Sequence, residues 1–183
     1  MTPTPLPLHA ASAERGLTLI ELLIALTIGG VLMTGAYYGF NLIHTASGQN
    51  VVRLLSQAGT CMRNSLVNRP GYAGVTTSTA IQAGCFPDSN VNGTDVDDGN
   101  GHAITVAAAN GPGGVANTAL AFTVVGPLKP ALCSQITLGL IATASSVLVN
   151  GQTAKAFGGR VDQGVIDTEC AKNPNSLAYI ISK

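Results

Sequence analysis

Charge is what this sequence has least of. Lys and Arg number nine, Asp and Glu nine, and charged residues make up 10% of the 183. No basic field exists to draw in nucleic acid or anionic lipid strongly, so no nucleic-acid partner is expected. Also missing is any CxxC or other metal-like spacing among Cys61, Cys85, Cys133 and Cys170. Neither a metal nor another cofactor is expected. Of the histidines, His9 and His44 fall before the region that reads as a folded head, and His102 has no recognisable Ser, Cys or carboxylate partner for catalysis. The chain is not expected to be an enzyme. Asp95, Asp97, Asp98 and Asn100 cluster in a Gly-rich loop, but the later bidentate Glu of an EF-hand is lacking, so a solvated turn is the better reading than a Ca²⁺ loop.

What the chain does have is 46% hydrophobic residues and 22 Gly. That mixture suits a membrane segment followed by a turn-rich head. The length leaves room for one domain of ordinary size beside the segment, and not for a second of enzyme size.

The apolar segment is residues 17–40, where Glu21 is the only ionisable side chain apart from Tyr37 and Tyr38. As a helix, at about 1.5 Å per residue, it would be roughly 36 Å long and would span a hydrocarbon core. A plain anchor does not explain Glu21. A carboxylate at a membrane helix centre costs on the order of 2.5 to 3.5 kcal/mol on insertion scales, and less near the interface.

The residues before the run are inverted relative to a secretory signal, since the small residues of Ala11-Ser12-Ala13 precede the apolar stretch instead of following it. The remaining punctuation is Arg15-Gly16, immediately before Leu17. A cut after Gly16 would remove a polar leader and free an amine on Leu17, one helical turn from Glu21. Identical chains could then pair amine to carboxylate between neighbours.

Beyond Phe40 the apolar residues become periodic. Val51, Leu54, Leu55, Ala58, Cys61, Met62 and Leu66 follow helical spacing, and no proline interrupts 17–69. One helix is predicted from Leu17 to about Asn68, its second half (41–69) buried against the head and its first half projecting. Gly29 and Gly30 weaken it, and Gly35 with Gly39 offers a small-residue face for close helix approach. After Arg69-Pro70-Gly71 the pattern changes. Asn92-Gly93, Asn100-Gly101, Asn110-Gly111 and Asn150-Gly151 are turn signals, with strands expected at 102–107, 119–125, 147–149 and 177–181. Residues 130–145 read as a second helix with Pro130 in its first turn. The fold class is α+β: a long helix packed on an antiparallel sheet, with one further helix.

The stretch "RGLTLIELLIALTIGGVL" resembles the class III signal and N-terminal helix of type IV pilins and pseudopilins. The resemblance implies that Gly16 is the cleavage residue, Leu17 the methylated residue and Glu21 the assembly carboxylate. Leu17 replaces the Phe usual in the type IVa branch and the leader is long, which points to type IVb. The segments "NRPGYAGVTTSTAIQAGCFPDS", "NGHAITVAAAN", "KPALCSQITLGLIATASSVLVNG" and "NSLAYIIS" are further similar, in that order, to thin-pilus pilins of conjugative systems. The regions implied are a leader at 1–16, a transmembrane and filament-core segment at 17–40, an amphipathic half-helix at 41–69 and a head at 70–183.

Four cysteines allow three pairings, and outside the cytoplasm disulfides are their natural state. The type IVb resemblance implies Cys133 with Cys170, and with it Cys61 with Cys85. It implies an inner-membrane precursor that polymerises with copies of itself into an extracellular pilus for contact such as conjugation or adhesion. A prepilin peptidase and the inner-membrane pilus assembly machinery are its implied partners. The alternatives are a minor pilin or a secretion pseudopilin, and, in another class, a membrane-anchored periplasmic enzyme or binding module.

Overall fold

The computed structural model describes residues 19–183, without the side chains at 19, 21, 25 and 30–46. The expectations for the leader, Gly16 and Leu17 lie outside the described residues, as do those for the side chains of Glu21 and His44. Among the described residues no helix is long and apolar enough to cross a membrane; the expected span at 17–40 begins before them and ends among residues described without their side chains.

Helix α1 is Leu19–Ser65. The chain divides into two compact units, Met1–Asn41 and Leu42–Lys183. Within the second unit α1 buries Val51, Leu54, Leu55, Ala58 and Met62, while Arg53, Gln57 and Arg63 stay exposed. Each such apolar side chain is worth about 1.5 to 3 kcal/mol when fully buried, less for Ala. The helix stops three residues before the expected Asn68. Leu66 still bonds back to Met62 at 3.0 Å, but Arg69 turns tightly onto Leu66 at 3.0 Å. Pro70 is the physical reason, because the residue before a proline is driven out of the helical region.

The sheet has seven antiparallel strands in the order β1-β2-β3-β4-β7-β5-β6. They are β1 Val91–Asn92, β2 Asp95–Asp97, β3 Ala103–Ala109, β4 Ala119–Gly126, β5 Ser146–Val149, β6 Gln152–Lys155 and β7 Asn175–Ser182. Alternation places one face on the core: Ile104 and Val106 of β3, Leu120, Phe122 and Val124 of β4, and Leu177, Tyr179 and Ile181 of β7 are buried. The last strand lies in the middle, between β4 and β5. Gly59 lets α1 approach it closely: a Cβ there would stand 3.1 Å from Ile181 Cδ1 and 3.2 Å from Tyr179 Cε1.

Three further helices complete the unit: α2 Thr77–Gln82, α3 Pro130–Leu140 and α4 Gln163–Cys170. Helix α3 ends at Leu140 instead of reaching 145. The Lys155 ammonium closes its end by donating to the carbonyls of Ile141 (2.6 Å) and Ala144 (2.8 Å), and the chain then enters β5. Helices α2 and α4 and strands β1, β2 and β6 are additions to the expected elements. They are short, and at most three buried side chains in each leave no period to read. Their caps are local: the Thr76 side chain accepts from Thr79 N–H in a capping box, and Asp162 accepts from Val165 N–H.

Candidate functional site

Three parts of the chain bear on function: the apolar first part of α1, the disulfide staples, and the region enclosed by the second staple. In the first part, Ile20, Leu22, Leu23, Ile24, Leu26 and Ile28 are each more than half exposed. A helix carrying that much bare aliphatic surface needs lipid or other helices around it. Thr27 donates to the Ile24 carbonyl at 2.9 Å, so its hydroxyl places no unpaired polar group on this surface.

Cys61 is bonded to Cys85, and Cys133 to Cys170, with Cα atoms 5.4 and 5.5 Å apart. The first staple holds the end of α1 to the loop after α2. The second holds α3 to the last residue of α4, so everything between, β5, β6 and α4, hangs on one closed loop.

That loop is organised by Asn150. With φ +51° at Asn150 and +80° at Gly151, the two residues form the tight turn between Val149 and Gln152. The Asn150 amide donates to the Glu169 carbonyl and to Asn175 Oδ1, each at 3.0 Å, and its oxygen accepts from Ser176 N–H at 2.8 Å. Asn175, itself 1% exposed, donates to the carbonyls of Leu128 and Cys170. The Glu169 carboxyl is held below the ordinary carboxylate range, first by the hydrogen bond from Lys172 at 2.6 Å and then by attraction to that ammonium and a weaker bond from Asn150, which together outweigh its burial. On the core side, burial pushes the Tyr179 phenol up, against hydrogen bonds to Thr143 and Ser56 and the pull of Arg63.

The Asp cluster behaves as a turn. Asp97 accepts from Gly99 N–H at 2.7 Å, and Asp98 accepts from the N–H groups of Asn100 and His102 while meeting His102 Nδ1 at 2.6 Å. Among the described residues no three His, Cys, Asp or Glu side chains gather as a metal site would. Sequence reasoning treated Asn150-Gly151 as a turn and missed that its amide is the hub. It also missed Asn175, Lys155 and Glu169, whose partners lie up to 47 positions away in the chain.

Residues 11–37 match the prokaryotic N-terminal methylation motif, and residues 45–182 match the family described as PilS N terminal. The chain belongs to the PilS family of type IV pilins. Among solved structures, it is similar to TcpA, a type IV pilin from Vibrio cholerae El Tor biotype, with TM-score 0.60 and 13% identity over 75% of this chain and 99% of that one. The type IV b pilin from Salmonella typhi is similar at TM-score 0.55 and 20% identity, over 70% of this chain and 95% of that one. No curated protein matches the chain in sequence. The pilin thus has the type IVb fold and is a structural subunit of pili, as pilin families are.

Proposed function

We propose that this pilin is made as a precursor with a leader at 1–16, cut after Gly16 by a prepilin peptidase that methylates the amine of Leu17. Glu21 then pairs with the Leu17 amine of a neighbouring copy as subunits dock. The observation that carries this reading is the methylation-motif match over 11–37, a single segment that includes Gly16, Leu17 and Glu21. The physical reason is the cost of an unpaired carboxylate in an apolar surrounding, which a newly freed cation offsets.

Before assembly, residues 17–40 hold the precursor in the inner membrane. Afterwards they form the filament core, exchanging lipid for the apolar side chains of other copies; the bare surface from Ile20 to Ile28 supports this. Residues 41–69 and the head at 70–183 form the outer layer. The pilin is the major subunit of a filament used for cell contact such as conjugation or adhesion, assembled by an inner-membrane machinery. Intact-mass and N-terminal analysis of protein sheared from cells tests the reading. A chain beginning at methylated Leu17 is expected. A chain still beginning at Met1 and confined to membranes, in cells with the peptidase, would refute it.

A further inference from the structure

An open filament needs a heterologous contact, one patch of each copy fitting a different patch of the next. Two patches in the Leu42–Lys183 unit are complementary in charge and lie at opposite ends of the sheet. The first is a cavity of about 360 Å³ lined by Thr60, Arg63, Asn64, Val67, Tyr72 and Lys183. Its lining side chains include two cations and no acid. Among the described residues neither Arg63 nor Lys183 is within ion-pair distance of a carboxylate. The Lys183 ammonium is fixed by donating to the Arg69 carbonyl. Two like charges sharing a concave wall repel each other and together attract an anion.

The second patch is the acidic edge of the sheet. Asp88, on the turn before β1, and Asp95, opening β2, are exposed, and neither pairs with a cation among the described residues. Their neighbours Asp97 and Asp98 are engaged by the loop and by His102. The unused carboxylates are therefore Asp88 and Asp95.

The two patches do not meet within one chain. Lys183 N–H bonds to the Thr118 carbonyl, beside the Ala119–Ala109 pair at one end of β3. Val96 pairs with Ile104, which sets Asp95 about level with Thr105, and in the sheet β2 and β7 are separated by β3 and β4. Four residues of strand at about 3.3 Å each along β3, combined with three strand spacings of about 4.8 Å across the sheet, put Asp95 about 20 Å from Lys183.

We infer that the cavity at Arg63 and Lys183 receives the Asp88 and Asp95 edge of a second copy of this chain, as a contact between heads along the pilus. The inference rests on the filament-forming function given above. The apolar helices supply most of the affinity, while this contact sets register and excludes misaligned docking.

Two measurements on the full chain in piliated cells test it. A water-soluble carbodiimide couples a carboxylate to an amine it touches, forming an amide while the lost oxygen leaves on the urea. Applied to wild-type pili, it is expected to give a peptide joining Lys183 Nζ to Asp88 or Asp95; the separation within one chain makes that link one between copies. In the second, the paired variants R63E/K183E and D88K/D95K are each expected to lower the yield of sheared pili about tenfold or more, and their combination in one chain to recover most of it. A non-reducing gel of the membrane pool checks that each variant is processed and disulfide-bonded. Unchanged yield in the paired variants, or a combination no better than either while the pool is intact, overturns the contact. Should the variants fail to fold, the wild-type cross-link decides, and its absence from pili overturns the contact alone. If the wild-type chain is never found in pili, the filament function falls and this contact with it.

Discussion

The side-chain amide of Asn150 donates to the backbone carbonyl of Glu169 across 3.0 Å, tying the β5–β6 turn to the last turn of α4. The same amide reaches the first residues of β7, so a single side chain joins three elements inside the loop closed by Cys133 and Cys170.

Replacing Asn150 removes both the amide network and a residue tolerant of positive φ. Asn150→Ala is expected to destabilise the head by about 2 to 4 kcal/mol, combining unpaired buried groups with left-handed backbone strain. Asn150→Asp keeps the turn preference but loses the two donors. Denaturant unfolding of both variants separates the two contributions; equal, negligible losses would refute the hub.

The Glu169–Lys172 pair makes stability depend on acid. Glu169 has a folded pKa lowered from the ordinary 4.5, so the folded state binds fewer protons than the unfolded one. Its contribution is complete above about pH 4.5 and is lost as pH falls through the lowered folded value. Glu169→Gln should flatten that part of the curve, read as unfolding midpoint against pH from neutral to about pH 2.

Each staple closes a loop of known length, the cysteines being 24 and 37 positions apart. Chain-entropy arguments give about 3.5 kcal/mol for Cys61–Cys85 and about 4 kcal/mol for Cys133–Cys170. Serine pairs at either site should lower the unfolding free energy by such amounts. Loss of the second should also expose β6 and α4 to protease first, as limited digestion would reveal.

Gly59 opposes two effects. Gly59→Ala gains about 1 kcal/mol of helix propensity but places a Cβ hard against Tyr179 and Ile181, so a near-neutral change is expected. Gly59→Leu overfills the same contact and should cost about 1 to 3 kcal/mol. Thermal melts of the two variants discriminate, and a stabilised Leu variant would contradict the close approach.

Glu21→Gln retains shape and removes the charge. The proposed role predicts normal cleavage after Gly16 with filament yield abolished. Electron microscopy showing ordinary pili from that variant would remove Glu21 from assembly.

The long helix was legible because its stripe from Val51 to Met62 repeats at helical spacing and no proline interrupts it. Strands β3, β4, β5 and β7 were legible as short runs set off by turn signals, with ends shifted by at most two residues. Strand β6 was not legible, because Gln152, Thr153 and Lys155 carry no apolar alternation and only Ala154 is buried. Helices α2 and α4 were likewise hidden, being too short to show a periodic face.

The sequence by itself determined the apolar first part of α1, the place of Glu21 within it, the amphipathic continuation and the α+β class. All of these follow from local composition and period, which act over a few helical turns. Which of three cysteine pairings forms, the insertion of β7 between β4 and β5, and the convergence of Asn150, Glu169 and Asn175 were decided only by tertiary structure. Those relations join residues far apart in the chain. Their partners are chosen by burial and hydrogen-bond satisfaction in the folded core, which no local pattern encodes.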